Sequence, residues 1–427
     1  MTTSASALFT DLYELSMAQV YYEQGQTDEA VFELTLRENP DGWRYLLVAG
    51  LERALDFLES LAFSSQDLAF LKSLPQFNSD FLERLAEFRF SGDVWAVPEG
   101  TVVYPPEPVL QVVAPLPEAQ IVETALMNQI AFATLVATTA AHMVDAAAGR
   151  PLYEFGGRRA HGVDAALEAA RATYIAGFEA TSSVEAGRRF GLPVVGTMAH
   201  SYVLAQTNEL DAFRRFARRY EGTTLLVDTF DTAVGVDRVV AVARELGDQA
   251  VGAIRIDSGD LASAAEDARR RLDEAGLTDV RIVVSGGLNE RRIAQLVADG
   301  APIDAFACGT AVVTGGAVGA LDAAYKLVEY QDRPLAKHSP GRPSMGARKQ
   351  VWRTEAADVI ARYDAPPPAR ARPLLELVMQ AGQRLPAAEP LDSIRARAEA
   401  ERSAAQHHRS VRIDRSLERS RAQHRTE

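Results

Sequence analysis

Cysteine is nearly missing from this chain: among 427 residues there is one, Cys308. A single thiol rules out an internal disulfide framework and any zinc site built on paired cysteines, and it fits a reducing compartment. Lysine is also scarce, four residues against 41 arginines, a bias of usage more than of function. Acidic residues outnumber basic ones, 58 to 45, for a formal net charge of −13. Bulk binding to nucleic acid is therefore not expected, and any phosphate site has to be built locally. Residues 1–7 carry neither a basic region nor an apolar run, so no export signal is read there and a cytoplasmic location is expected. No long hydrophobic run is free of polar residues. The stretch 127–144 is interrupted by Asn128, Gln129 and His142, is flanked by Glu123 and Asp145, and lacks basic anchors, so it reads as a buried helix and no membrane span is expected. His-x-x-x-His, Gly-x-Ser-x-Gly and Walker A patterns are absent, which argues against a zinc centre, a nucleophile elbow and a P-loop.

What is present is an alternation of short apolar runs and helical patterns, with 47% hydrophobic residues available for a large core. The stretch Leu192-Pro-Val-Val-Gly-Thr-Met-Ala-His-Ser-Tyr202 sets the pattern. Read as a buried strand, it puts Val194 and Val195 in a core, and Gly196 permits a tight exit that holds Thr197 and His200 over a cavity. Five more runs share this grammar, over 151–156, 224–229, 251–260, 280–287 and 303–310. Each ends on glycine or on a charged or hydroxyl residue, and helical patterns follow, as at 237–246, 261–275 and 289–299. Such a repeat is what an α/β barrel requires, with functional side chains at the C-terminal strand ends. Six or seven strands are counted instead of eight, so either one hides in 173–178 or the barrel is irregular.

Ahead of the repeat, Asp11-Leu-Tyr-Glu14 reads as an N-cap with an acid three positions on. It opens a helix that Gly25 closes, with Tyr13, Met17, Val20 and Tyr21 on one face. A strand is expected at 29–36, a helix at 51–61, and Pro- and Gly-rich edge strands from Phe88 to Ala114. Beyond Val328 the chain turns polar through 337–344 and returns to the first domain. From about Arg395 it becomes rich in Arg, Glu and Ser, with His407 and His408 adjacent, as a flexible or helical tail. The expected division is an N-terminal α+β domain over 1–115, a catalytic α/β barrel over 116–328, a returning segment over 329–394 and the tail over 395–427.

Four constellations carry possible chemistry. Ser285-Gly-Gly287 and Gly309-Thr310 follow consecutive strands, and backbone N–H groups freed at two such turns can grip one phosphate, although either alone often only reverses the chain. Alternation puts Arg255 and Asp257 on one face of a strand end. Carboxylates suit ribose hydroxyls or Mg2+ and a guanidinium suits a carboxylate or phosphate; an ion pair stapling a loop is the plainer account. Phe155-Gly-Gly-Arg-Arg159 offers a ring to stack on a flat substrate and two guanidiniums for an anion, or else a core phenylalanine beside a solvated charge pair. A lone histidine is more often structural than catalytic, but His200 stands at a strand end, three residues after Thr197.

These motifs together resemble the nicotinate phosphoribosyltransferase family. The resemblance runs in order from Thr10-Asp-Leu-Tyr13 through Pro98-Glu-Gly-Thr101, Glu154-Phe-Gly-Gly-Arg-Arg-Ala160, Thr181-Ser-Ser-Val184, Gly196-Thr-Met-Ala-His-Ser201 and Val227-Asp-Thr229. It continues through Arg255-Ile-Asp-Ser-Gly-Asp-Leu261, Val284-Ser-Gly-Gly287 and Gly309-Thr310 to Tyr325-Lys-Leu-Val328, and so spans roughly residues 8–355.

The resemblance implies an irregular (β/α) barrel of the type II phosphoribosyltransferases with a smaller α+β domain formed by N-terminal and C-terminal segments. It implies ATP-assisted condensation of nicotinate with phosphoribosyl pyrophosphate to nicotinate mononucleotide and pyrophosphate, in NAD salvage. Residue by residue, His200 is the histidine phosphorylated by ATP. Phe155 and Tyr13 sandwich the pyridine ring, with Tyr13 supplied by the partner subunit of a homodimer. Arg255, with Thr197 and Arg158, holds the pyridine carboxylate and the reacting groups. Gly286, Gly287, Gly309 and Thr310 cradle the 5′-phosphate and Ser285 is a further substrate-binding residue, while Asp257, with Asp228, meets ribose hydroxyls or the Mg2+ carried by pyrophosphate. Relatives that use nicotinamide place an acid near the segment Thr181, Ser182 and Ser183, where this chain offers hydroxyls, so nicotinate is the expected base. The alternatives are a nicotinamide or quinolinate phosphoribosyltransferase, or a catalytically silent relative.

Overall fold

The computed structural model describes residues 6–337, 345–385, 387–405 and 409–417. His407, His408 and the greater part of the polar run 337–344 lie outside the described residues. The chain forms two compact units: Met1–Leu135 with Ala320–Glu427, and Val136–Gly319. These boundaries fall at different places from the 115/116 and 328/329 divisions expected from the sequence, and the composite unit is the longer in chain length.

In the composite unit the N- and C-terminal segments share one seven-stranded antiparallel sheet. Strand Glu29–Leu36 lies between Pro108–Pro115 and Ala323–Tyr330 and pairs with both. Its apolar residues are buried nearly without alternation, as expected of a strand covered on both faces. Glu33 lies among them and has its own answer. The Lys349 ammonium, fully buried, donates to its two carboxylate oxygens at 3.0 and 3.3 Å and to the Ala347 carbonyl at 2.9 Å, and Gln111 donates to Glu33 at 3.2 Å. Removing one partner of such a pair costs roughly 3–5 kcal/mol, because the other is left charged and dry.

A second sheet runs Arg372–Pro373, Lys349–Arg353, Ala357–Arg362, Ser410–Ile413, with only the last pair parallel. Helix Leu391–Ala404 precedes that final strand, so the described part of the stretch after 395 carries regular structure.

The first helix, Leu12–Glu23, is followed by Gln24 as C-cap and Gly25 at φ 67°, but Asp11 makes no side-chain cap. Glu14 does not close a capping box either. Its buried carboxylate accepts from the Thr10 and Thr124 hydroxyls at 2.5 Å each and from the Thr124 N–H at 3.1 Å. The expected apolar face is also not the covered one: Tyr13 and Val20 are 46% and 42% exposed, while Glu14, Leu15 and Ala18 are buried. Tertiary hydrogen bonds to Glu14 outweigh the helix's weak periodicity. Helix Glu123–Ala147 is long and apolar enough to cross a membrane, yet 72% of its most apolar window is buried inside the protein, the behaviour of a core helix.

The unit Val136–Gly319 is a parallel sheet in the order Ala180–Thr181, Leu152–Glu154, Ala305–Cys308, Arg281–Val284, Val251–Ile256, Thr223–Leu226. Helices Val163–Ala176, Thr232–Leu246, Leu261–Glu274 and Glu290–Ala298 connect its strands. Asp231 and Asn289 cap two of them by accepting the backbone N–H three residues on, each at 2.9 Å. No strand hides in 173–178. That run is the end of the helix and its Gly177 cap, and the strand comes later, at Ala180–Thr181. The stretch 192–195 contributes a single parallel bridge, Thr181 to Val194. Val194 is 47% exposed and Val195 half-buried, so the expected core strand is a one-bridge edge, and Leu192 and Met198 are the buried residues of this stretch.

Candidate active site

All six parallel strands end toward the same face, and the loops that leave them carry the sequence motifs. Backbone pairing continues past the strand ends and keeps the loops in step. Ser182 N–H donates to Glu154 O at 2.8 Å, Phe155 N–H to Cys308 O at 2.7 Å, Ser285 N–H to Ile256 O at 2.8 Å and Val227 N–H to Arg255 O at 3.1 Å. A cleft of about 460 Å3 opens there, lined by Phe155, Arg158, Arg255, Asp257, the Ser285-Gly-Gly287 turn and Gly309-Thr310, together with Arg159, Asn289 and Thr314.

Arg255 organises one wall. Its Nε donates to Ser285 Oγ at 3.1 Å, one terminal nitrogen donates to Thr197 Oγ1 at 2.8 Å, and the other lies 3.5 Å from Asp257 Oδ1. The Phe155 ring sits below, its centroid 5.9 Å from the guanidinium carbon. Two of the five N–H donors are thereby hydrogen-bonded and the second terminal nitrogen faces Asp257, which fixes the guanidinium plane and leaves donors for an anion. Ser285 Oγ in turn donates to Asp257 Oδ1 at 2.5 Å, so Arg255, Ser285 and Asp257 form one closed network.

Asp228 supports this network from the next strand end. Its Oδ2 accepts from the Asp257 N–H at 2.9 Å and the Ser258 hydroxyl at 2.6 Å, whereas Oδ1 is buried with no partner. An orphaned carboxylate oxygen of this kind suits a ribose hydroxyl or a metal-bound water. Among the described residues no group of three His, Cys, Asp or Glu could hold a metal ion by itself.

His200 opens the short helix His200–Leu204. Its Nδ1 lies 3.1 Å from Thr229 Oγ1 and its Nε2 3.9 Å from Asp257 Oδ2. The histidine contact joins the loop after the Val194 bridge to the loop after the last strand of the sheet, at the end where chemistry is expected.

Glycine is obligatory at two points. Gly286 has φ +87°, and a Cβ there would come within 2.0 Å of the Asp257 carbonyl oxygen. At Gly156 a Cβ would meet Val313 at 2.4 Å and the Gly309 oxygen at 2.7 Å, so the Phe155 loop can approach Gly309 only without a side chain.

Of the residues singled out from sequence, Phe155, Arg158, Arg255, Asp257, Ser285, Gly286, Gly287, Gly309 and Thr310 line the cleft, while Thr197, Asp228 and His200 touch residues that line it. Ser182 does not line it. Tyr13 lies on the first helix of the composite unit, where its hydroxyl bonds to Glu123. Sequence reasoning gave no role to Thr229, Ser258, Asn289 or Glu154. Thr229 and Asn289 were legible as polar residues at strand-to-helix turns. Glu154 was hidden, because its position reads as the end of an apolar run. It is fully buried, accepting from the Thr181 hydroxyl at 2.5 Å and from the Gly156 N–H, and burial raises its pKa. An acid thus stands beside Thr181 after all, with both oxygens engaged.

The chain is similar to known proteins along most of its length. Residues 8–131 match the nicotinate phosphoribosyltransferase N-terminal domain and residues 136–322 the quinolinate phosphoribosyl transferase C-terminal domain. It is 50% identical over 348 residues to a nicotinate phosphoribosyltransferase of Mycobacterium tuberculosis, covering 81% of this chain and 75% of that one. It is 41% identical over 375 residues to the nicotinate phosphoribosyltransferase of Bacillus subtilis, covering 84% and 76%. Human nicotinic acid phosphoribosyltransferase superposes with a TM-score of 0.84 at 27% identity, over 97% of this chain and 99% of that structure. With both domain models in order and half of the aligned residues shared with such an enzyme, the chain belongs to the nicotinate phosphoribosyltransferase family.

Proposed function

We propose that this chain joins nicotinate to phosphoribosyl pyrophosphate, giving nicotinate mononucleotide and pyrophosphate for NAD salvage, and that ATP drives the step through phosphorylation of His200. The observation that carries the reading is the Arg255 network: a guanidinium fixed by Ser285, Thr197 and Asp257 over the Phe155 ring, with N–H donors left uncommitted. That arrangement suits a flat aromatic carboxylate, with the ring on Phe155 and the carboxylate on Arg255. Gly286, Gly287, Gly309 and Thr310 present backbone donors for the 5′-phosphate, and Arg158 adds charge at the same cleft. The pyridine nitrogen attacks C1′ as the bond to pyrophosphate breaks. Asp257 and Asp228 stabilise the positive ribose that develops between them, so catalysis is positioning plus charge stabilisation. Mg2+ bound to the pyrophosphate group would neutralise the leaving oxygens, and Asp228, whose Oδ1 has no partner, and Asp257 are the residues that would face it.

His200 suits phosphoryl transfer because its two nitrogens differ. With Nδ1–H donating to Thr229, the Nε2 lone pair faces the Asp257 side of the cleft and can take the terminal phosphoryl group as ADP leaves. Nicotinate is favoured over nicotinamide since Glu154, the acid beside Thr181, is buried and engaged and cannot accept amide hydrogens in the cleft. The exposed Leu12, Tyr13 and Val20 side chains support a homodimer in which Tyr13 reaches the partner's pyridine ring, and the single buried thiol suits the cytoplasm.

The test is an assay with Mg2+, phosphoribosyl pyrophosphate and either base, with and without ATP, following mononucleotide and ADP together. ATP-stimulated product from nicotinate is expected. Product from nicotinamide alone overturns the base assignment, and no product from either base overturns the reaction.

A further inference from the structure

The composite unit contains a second cavity, of about 550 Å3, that shares no residue with the cleft. Four arginines line it: Arg353, Arg370, Arg372 and Arg409. Their pairing is uneven. Glu401 serves two of them, accepting from Arg353 at 2.6 Å and also from Arg372. Asp358 serves Arg353 at 2.5 Å and Arg409 at 3.2 Å. Arg370 makes no ion pair among the described residues. Three guanidiniums therefore share two carboxylates and the fourth has none; of those two carboxylates only Glu401 lines the cavity, where Glu355 is the other acid. Burial beside Asp358 holds the Glu107 carboxyl well above its usual range, so Glu107 does not make up the deficit.

Cost and geometry point the same way. Like charges gathered round one cavity repel, and in a chain of net charge −13 nothing general requires them there. Arg353 is held rigidly by Asp358, Glu401 and the Val102 carbonyl at 2.8 Å, and Arg409 is anchored by the Thr354 carbonyl at 2.6 Å. These two build the floor. Arg370 and Arg372 are exposed and keep most of their donors free, the condition for forked bonds to phosphate oxygens.

We propose that this cavity is a binding site for a small phosphate-class polyanion, with Arg370, Arg372 and Arg409 as its ligands and Arg353 as its fixed base. The site takes inorganic pyrophosphate or a pyrophosphate-bearing molecule, whose oxygens supply the counter-charge that Glu401 and Asp358 leave short.

Pyrophosphate is titrated calorimetrically into the full chain at fixed ionic strength, with Arg370→Gln/Arg372→Gln beside the wild type. Two pyrophosphates per chain are expected in the wild type, one in the cleft and one here. In the double variant one site weakens about tenfold or more, with melting temperature and both substrate KM values unchanged. A single wild-type site that the double variant removes keeps this assignment and takes pyrophosphate away from the cleft instead. Wild-type isotherms unaltered by the double variant overturn the proposal. Glu355→Gln provides a second reading: removal of an acid from the lining tightens pyrophosphate at this site, whereas a purely structural arginine cluster leaves the affinity unmoved or lowers it.

Discussion

Arg255 donates to the Thr197 hydroxyl at 2.8 Å, joining segments 58 residues apart in the chain. With Ser285 on Nε and Asp257 beside the other terminal nitrogen, the guanidinium is oriented before any substrate arrives. Arg255→Lys keeps the charge but replaces a planar fork by a point donor. We expect kcat/KM for nicotinate to fall roughly 100-fold, the order of two charge-assisted hydrogen bonds. Thr197→Val should cost about tenfold through orientation alone. Steady-state kinetics decide it, and wild-type nicotinate kinetics in the lysine variant would move the carboxylate contact elsewhere.

His200→Ala should abolish stimulation by ATP while leaving slow transfer. Thr229→Val keeps the imidazole and removes its 3.1 Å partner, so ATP-coupled turnover should drop about tenfold with little change in uncoupled product. ADP and mononucleotide measured side by side separate the two effects, and full coupling in His200→Ala would refute the role of His200.

Gly286 and Gly287 both have positive φ, but only Gly286 faces backbone, with a Cβ placed 2.0 Å from the Asp257 oxygen. Gly286→Ala should therefore shift Asp257 and raise the KM for phosphoribosyl pyrophosphate strongly. Gly287→Ala, in open space, should cost about 1 kcal/mol of stability from backbone strain. Equal stability losses on denaturant unfolding of the two variants would contradict this difference.

The Glu14 carboxyl is pushed up to about 7 by burial, against 4.5 for a free one. When folded it holds its proton over a range where the unfolded chain has lost it. The contribution of Glu14 to stability is thus most favourable below about pH 4.5, falls as pH rises from there to about 7, and is a constant penalty above. Glu14→Gln should remove that part of the slope. Unfolding free energies measured across this window in both proteins test the sign, and parallel profiles would rule it out.

Ser182 has the one hydroxyl of its segment not committed to Glu154 or to the helix cap at Ala186 N–H. Ser182→Asp should lower kcat/KM for nicotinate by about tenfold if the base binds within reach, by repulsion of its carboxylate. Unchanged kinetics would place the segment outside the base site.

Much of the parallel sheet was legible because buried parallel strands read as apolar runs and their exits as polar or glycine turns. The runs at 251–260, 280–287 and 303–310 are strands Val251–Ile256, Arg281–Val284 and Ala305–Cys308. The two-residue strand Ala180–Thr181 was not, since so short a run has no period, and the stretch 192–195 looked like core only because its valines are apolar. Asp11 looked like a cap and Glu14 like its partner, whereas Glu14 is claimed by Thr124, 110 residues away.

The sequence by itself determined which side chains follow the strands at 251–256, 281–284 and 305–308 and that the motifs occur in the order of the nicotinate family, because strand periodicity and turn chemistry are local. Only the tertiary structure decided that Arg255, Ser285, Thr197 and Asp257 share one network, that Glu154 is buried beside Thr181, and that four arginines from separated segments surround a second cavity. Such contacts depend on which strands become neighbours and how deep each side chain is buried, and that is settled by packing of the whole chain, to which no local pattern has access.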